Sequence, residues 1–368
     1  MKQVIHVITT ISRGGAENQL IILTREQVKV GRKPVVIYLK DAPELLEEFE
    51  DAGVEVICFC SYLSFTRQVF WLKKYLKDKE VIIHAHLPRA EILVALASRK
   101  NRFFVTRHNA ERFFPAAPNF ISSFMSRLVT KRATKIIAIS HEVARFLTKN
   151  REVSKETNVE IVYYGYDSNI KSKNSKKIDF RKELNIMENE IMVGTVGRIV
   201  KQKDYPTLLR SFAQFQNLNN RVKLVIVGEG NLRKEMEILS QELRITEKVV
   251  WYGKTSRIFD FMNSIDLFVL TSVYEGFGLV LLEAMAAKVP IVTTKISAIP
   301  EVMGNKYKYL AEAGNASDFA VKMNSISSLG SVNRKKLKFY YEKRLKKFAP
   351  SSMSLQIENI YNEVLLDY

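Results

Sequence analysis

Short apolar runs alternate with longer amphipathic stretches along the first half of this chain. Val4–Thr10, Val35–Leu39, Val54–Phe59, Val81–Ala85, Phe103–Thr106 and Ile136–Ile139 have the length and apolar content of buried strands. Between them, Glu17–Lys29, Glu44–Ala52, Val69–Lys77 and Ala90–Ser98 place apolar residues at helical spacing. Strictly alternating strands and helices predict a parallel sheet with right-handed crossovers. Asn119–Lys135 differs in kind. Phe120, Ile121, Phe124, Met125, Leu128 and Val129 form one apolar stripe, and Arg127, Lys131, Arg132 and Lys135 supply cations. Such a helix suits a membrane surface, and it equally suits a sheet of its own domain.

The rhythm restarts after a break. Val159–Tyr163 reads as a last strand, and the polar segment Ser168–Lys177 as a linker between domains. Then Ile191–Val196, Leu224–Val227, Val249–Tyr252, Ile265–Ser272 and Pro290–Thr293 read as strands, with a helix over Pro206–Gln216. Arg334–Lys347 is a basic helical stretch expected to be solvated, and Ser351–Leu366 has a final helical pattern.

The totals narrow the class. The chain has 368 residues, enough for two domains that each bury a core. No apolar run approaches a membrane span, and the N-terminus enters a strand pattern without a signal-peptide cleavage site. Cys58 and Cys60 are the only cysteines, too close along a strand to bridge well, which suggests core positions in a reducing cytoplasm. The net charge of +18 is spread over the chain, with +8 in residues 1–167 and +10 in the rest. Such a field favours nucleic acid, an anionic membrane or an anionic ligand.

Candidate chemistry lies at the turns that follow strands. In Ser272–Ala286, two glutamates eight positions apart, Glu275 and Glu283, flank the loop Gly276-Phe277-Gly278. The backbone N–H groups of Leu279 and Val280 then open a helix, a setting that suits a diphosphate. Gly14-Gly15-Ala16-Glu17 makes a similar turn after the first strand, without the G-x-G-x-x-G of a dinucleotide site. Gly197-Arg198 and Lys203 follow Ile191–Val196, and Gly228 follows Leu224–Val227. His84 and His86 share a strand face, but no Cys, Asp or third His at ligand spacing accompanies them, so no metal is expected. His108 stands at the end of another strand.

Glu275 and Glu283 with the glycines between them resemble the E-x7-E motif of glycosyltransferase family four, retaining enzymes of the GT-B fold. The GGAE turn, His108, and Arg198 with Lys203 resemble further family sites in the same order. The resemblance implies two Rossmann-like α/β domains, 1–167 and 168–350, facing across a cleft, with a C-terminal helix, 351–368, packed back on the first. It implies that Glu275 lies near the donor sugar and Glu283 holds the nucleotide ribose. Arg198 and Lys203 would clamp the diphosphate, and His108 would contact the transferred sugar. Gly14 and Gly15 would face the acceptor or the donor phosphate, and Gly197, Gly228 and the loop Gly276–Val280 complete the donor set. Four sites depart from the pattern: Tyr164 replaces an asparagine, Asp204 a glycine, Ser297-Ala298 two glycines, and the glycine common in the next loop is missing around Tyr307–Ala311.

The implied reaction moves a hexose or N-acetylhexosamine from a nucleoside-diphosphate sugar, UDP more than GDP, to a glycan or lipid-linked acceptor. Surface polysaccharide, O-antigen or capsule synthesis is the expected setting. Beyond the sugar nucleotide as co-substrate, the family implies no cofactor and no metal. The expected location is the cytoplasm, peripherally on the inner membrane face if the basic surface docks on anionic lipid. A nucleotide-sugar epimerase of the same fold would instead release free UDP and an epimerised sugar without an acceptor. A nucleic-acid binder would explain the charge, but no motif of that class accompanies it, so no nucleic-acid partner is expected.

Overall fold

A computed structural model of the protein describes residues 2–40, 42–58, 62–98, 102–154, 157–167 and 178–366. The chain divides into two compact units, Met1–Asp167 with Phe348–Tyr368, and Ser168–Lys347. The expected linker over Ser168–Lys177, and Cys60, fall outside the described residues.

In the first unit, β1 (Val4–Ile8), α1 (Gly15–Lys29), β2 (Val35–Tyr38), α2 (Leu46–Glu50), β3 (Glu55–Ile57) and α3 (Phe65–Tyr75) come first. They are followed by β4 (Ile82–His86), α4 (Pro88–Ala97), β5 (Phe103–Arg107), α5 (Asn119–Thr130), β6 (Lys135–Ala138), α6 (His141–Lys149) and β7 (Val159–Ile161). Among the described residues these strands form one parallel sheet in the order β3-β2-β1-β4-β5-β6-β7. β1, β4 and β5 are buried along their whole lengths, as expected for strands covered on both faces.

Period-two alternation sends neighbouring residues of β1 to opposite faces. Ile5 and Val7 join a core with Leu93 and Val105, whereas Val4 and Ile8 pack with Leu20 and Leu23 of α1. That second face is closed by Met353, Ile357, Ile360 and Tyr361 of the C-terminal helix, so the last segment belongs to the first unit. Cys58 is half-buried against the same core.

The second unit runs α7 (Phe180–Glu183), β8 (Ile191–Val196), α8 (Tyr205–Leu218), β9 (Val222–Val227), α9 (Arg233–Glu242), β10 (Val249–Gly253) and α10 (Ile258–Ser264). It continues with β11 (Leu267–Leu270), α11 (Leu279–Ala286), β12 (Ile291–Thr294), α12 (Ile299–Met303), β13 (Leu310–Ala311), α13 (Ala316–Ser327) and α14 (Ser331–Leu345). The final helix, α15 (Pro350–Leu366), is the one that closes the first unit. The second sheet is also parallel, ordered β10-β9-β8-β11-β12-β13 among the described residues.

Two elements differ from their sequence reading. The helix expected over Asn119–Lys135 ends at Thr130, and Lys135 opens β6, where its ammonium pairs with Glu160 at 3.1 Å. The buried side of α5 is Ser122, Ser126, Val129 and Thr130, because those hydroxyls serve buried polar partners. Phe120 and Phe124, 74% and 65% exposed, point outward with Ile121 and Leu128. The basic helix α14 is not wholly solvated either. Its Tyr341 is fully buried, bonding Tyr307 Oη at 2.7 Å and accepting from the Ile291 N–H at 3.2 Å.

Candidate functional site

In the second unit, the turn after β8 and the turn after β11 are tied to each other. Lys203 Nζ donates to Glu275 Oε1 at 2.6 Å, and Ser272 Oγ donates to the same carboxylate at 2.7 Å. Backbone and side-chain bonds run in parallel: Val273 N–H to Gln202 O, Gln202 Nε2 to Tyr274 O, and Thr271 Oγ1 to Lys203 O. Glu275 is buried and Lys203 nearly so, which makes each the other's required counter-charge. Ser297 Oγ fixes the Glu275 carbonyl at 2.7 Å, and Ser297 takes a φ of 57°. That is the left-handed backbone a glycine would supply, so the serine keeps the turn and adds a donor.

Asp204 shows the same substitution logic. It holds φ 48°, a conformation Asp tolerates better than most side chains, and its carboxylate accepts from the Thr207 N–H as the cap of α8. Arg198 is exposed, and its guanidinium makes no hydrogen bond or ion pair among the described residues. Gly197 and Gly228 have a structural reason beyond any ligand. A Cβ on Gly228 would lie 2.0 Å from the Gly197 carbonyl oxygen, so these two turns can meet only without one.

Gly278, at φ 89°, is the N-cap of α11 and brings no side-chain cap to it. The helix start therefore offers backbone donors from the half-buried Leu279 and Val280. Gly276 is half-buried beside them, while Phe277 is buried. Farther along α11, burial pushes the Glu283 carboxyl up to about 7. The arrangement thus combines a cation held by a carboxylate, a second exposed cation and an uncapped helix N-terminus. Those are the means of binding a diphosphate and stabilising it as a leaving group.

The remaining expected residues lie in the first unit. Gly14 caps α1 in an extended conformation and Gly15 is its first residue. Glu17 of that first turn is buried and accepts from Thr10 Oγ1 at 2.9 Å. His108 follows β5 and is only 8% exposed. Both of its ring nitrogens are engaged, Nε2 with His86 Nδ1 at 3.1 Å and Nδ1 with Tyr164 Oη at 2.6 Å. Tyr164, which stands in place of the family's asparagine, is thus a direct partner of His108. Beside it, buried Arg107 pairs with Glu91 at 3.0 Å and Glu152 at 3.1 Å, and its guanidinium carbon lies 4.5 Å above the Phe113 ring.

The absence of a third histidine, inferred from spacing, does not hold in three dimensions. Register pairs His6 of β1 with His84 of β4, and His6, His84 and His86 bring ring nitrogens within 4.8 Å of one another. Those nitrogens are already spoken for by hydrogen bonds to Gln27, Tyr361, Thr106 and neighbouring rings. A metal there would have to displace that network. Sequence spacing could not reveal the cluster because β1 and β4 are neighbours only in the folded sheet.

Comparison with known sequences decides the family. Residues 13–169 match the family model described as Glycosyltransferase Family 4, and residues 176–344 the one described as Glycosyl transferases group 1. The chain belongs to the family-four glycosyltransferases. It is 25% identical over 384 residues to the capsular polysaccharide biosynthesis glycosyltransferase CapM of Staphylococcus aureus, covering 99% of this chain and 98% of that protein. It is 27% identical over 266 residues to a Campylobacter jejuni transferase named as acting on a diphospho-undecaprenol-linked sugar, covering 69% and 70%. Anabaena HepE in complex with UDP has the same GT-B fold, with a TM-score of 0.81 at 20% identity, covering 98% of this chain and 100% of that one.

The electrostatics of this transferase carry a pH signature. Glu283 has a carboxyl raised from 4.5 to about 7, so between those values the folded chain holds a proton that the unfolded chain has lost. Stability then falls as pH rises through that window, and the loss is complete above it. Glu283→Gln is expected to flatten the decline of melting temperature between pH 4.5 and 7 relative to wild type. Parallel curves for the two proteins would show that Glu283 ionises normally.

Proposed function

We propose that this transferase moves a hexose or N-acetylhexosamine from UDP to a lipid-linked or glycan acceptor in surface-polysaccharide synthesis, with retention at the anomeric carbon. The observation that carries the reading is the Lys203–Glu275 ion pair next to the uncapped start of α11. The names of CapM and of the Campylobacter transferase, and the UDP bound to HepE, support the setting and the donor.

In the proposed reaction the bond from the anomeric carbon to the diphosphate oxygen breaks, and a bond to the acceptor oxygen forms. The acceptor hydroxyl's proton ends on the departing diphosphate or in solvent, and UDP leaves. Charge growing on the leaving diphosphate meets Arg198, Lys203 and the N–H groups of Leu279 and Val280. Glu275 holds Lys203 in place before the donor arrives and stands near the donor sugar. Glu283 accepts hydrogen bonds from the ribose, and His108 lies toward the transferred sugar. The positive charge at the diphosphate comes from the protein, so the reading uses no divalent metal.

The acceptor side is inferred from α5. Phe120, Ile121, Phe124 and Leu128 are exposed on one helix, with Arg127, Lys131 and Arg132 exposed alongside. An apolar stripe flanked by cations suits a peripheral contact with an anionic bilayer, where a lipid-linked acceptor resides. No helix among the described residues is long and apolar enough to cross a membrane.

Two experiments test these proposals. In buffer containing EDTA, wild-type turnover should persist, and Lys203→Ala should lower it by about a hundredfold, the scale of losing one preorganised charge-stabilising donor. Near-normal turnover by a folded Lys203→Ala protein, or loss of wild-type activity in EDTA restored by Mg²⁺, would refute the assignment. For α5, flotation with vesicles containing anionic lipid should recover the wild-type protein, less in high salt and less for Phe120→Ser/Phe124→Ser. Equal, negligible recovery of both proteins would remove the membrane from the account.

A further inference from the structure

A continuous hydrogen-bonded chain crosses the first unit from the C-terminal helix to the end of β5. Arg32 holds Glu358 of α15, its Nε donating to the carboxylate at 2.6 Å. Glu358 Oε1 accepts from Gln27 Nε2 at 3.3 Å, and Gln27 Oε1 lies 2.9 Å from His6 Nε2. His6 Nδ1 is 3.1 Å from His86 Nε2, and His86 Nδ1 is 3.1 Å from His108 Nε2. The chain reaches Tyr164 Oη, 2.6 Å from His108 Nδ1. All three rings are buried.

The chain has a direction, and one group sets it. A carboxylate only accepts, so the part of the Gln27 amide facing Glu358 is its NH₂. The carbonyl of Gln27 therefore faces His6, and a carbonyl also only accepts. His6 must carry its proton on Nε2, which leaves Nδ1 as a lone pair. That lone pair requires the proton of His86 on Nε2, and His86 Nδ1 requires the same of His108. Tyr164 then donates its hydroxyl proton to His108 Nδ1. The identity of the protonated nitrogen in each ring follows from the bond made by the other nitrogen. Neutral rings are what this environment selects, because burial lowers His6 to about 4 and His108 to about 3, and His86 well below its usual value. Tyr361, on the same helix as Glu358, places its hydroxyl 2.6 Å from His84 Nδ1, so α15 also reaches the fourth ring of the cluster.

We propose that Gln27, oriented by Glu358, is a positioning residue that fixes the tautomer of His108 through His6 and His86. By this device α15, the last helix of the chain, determines which atoms present protons at the end of β5. His108 stays a neutral ring with its proton directed inward at His86, and the Tyr164 proton is directed at His108. Reversing the Gln27 amide would reverse every bond in the series. The kinetic consequence rests on the reading that the end of β5 lies toward the transferred sugar; the tautomer assignment does not.

Nitrogen-15 NMR of histidine-labelled full-length protein reads the protonated nitrogen of each ring directly. The wild-type spectrum should show Nε2–H for His6, His86 and His108, a result that a purely apolar packing role would not require. Gln27→Leu removes the acceptor, so the proton should move to Nδ1 in all three rings. The exchange Gln27→Glu/Glu358→Gln keeps the net charge, returns an acceptor to His6 and should restore Nε2–H throughout. Turnover should follow, with kcat lowered about tenfold in Gln27→Leu, donor KM changed by less than about twofold, and recovery in the exchange variant. An Nδ1–H ring among the three in wild type would overturn the proposal even if no variant folds. So would a Gln27→Leu spectrum in which His6 changes and His108 does not. Reversed tautomers with unchanged turnover would uphold the chain and remove His108 from the sugar site.

Discussion

The ion pair between Lys203 and Glu275 is the constraint on which the turns after β8 and β11 depend. Each charge sits where water reaches it poorly, so neither is stable without the other or a replacement. Two βα turns separated by about seventy residues are held together by this pair and by the backbone bonds around it. Under the proposed function the pair also prepares the chemistry. A diphosphate arriving at the start of α11 can take over as partner of Lys203, because an anion substitutes for a carboxylate without leaving the ammonium unpaired. Glu275 also accepts from Ser272 Oγ at 2.7 Å, a hydrogen bond that does not depend on the lysine.

Polar burial serves a comparable purpose in the first unit. The face of the sheet under α1 and α15 contains His6, His84 and His86, with His108 and Tyr164 just beyond the ends of β5 and β7, where most sheets carry aliphatic side chains. Their cost is offset because each ring nitrogen of the four histidines has a partner. Arg107, with Glu91 and Glu152, repeats the strategy one residue before His108 and anchors the Phe113 loop through the Phe113 N–H bonded to Glu152. Burial raises Glu91 to about 7 despite Arg107 beside it, which marks how dry the region is. The end of β5 is therefore held by charge on one side and by hydrogen-bond polarity on the other.

Much of this was legible in the chain. Buried parallel strands announce themselves as short apolar runs, and the E-x7-E unit, Arg198 and Lys203 carry their chemistry in their spacing. Positions that looked like departures were compensated locally. Asp204 and Ser297, which stand where the family pattern has glycine, both take a positive φ that glycine adopts freely. What could not be read were contacts made by sheet register. His6 and His84 are 78 positions apart and become neighbours only when β1 pairs with β4. The splitting of the α5 stripe was equally hidden: Val129 is buried and Met125 packs on the core, while Phe120, Ile121, Phe124 and Leu128 face outward. Ser122 and Ser126 decide it, because their hydroxyls are needed by the buried network around Glu152.

On the proposed reading, Glu275 is a stand-in anion for Lys203 that a bound diphosphate displaces. Calorimetric titration of UDP into wild-type and Glu275→Gln protein tests it directly. If the carboxylate competes with the diphosphate for the ammonium, the variant should bind UDP several-fold more tightly while losing transfer activity. Weaker UDP binding by a folded Glu275→Gln protein would contradict the account, because it would make Glu275 a support of the nucleotide instead of its competitor.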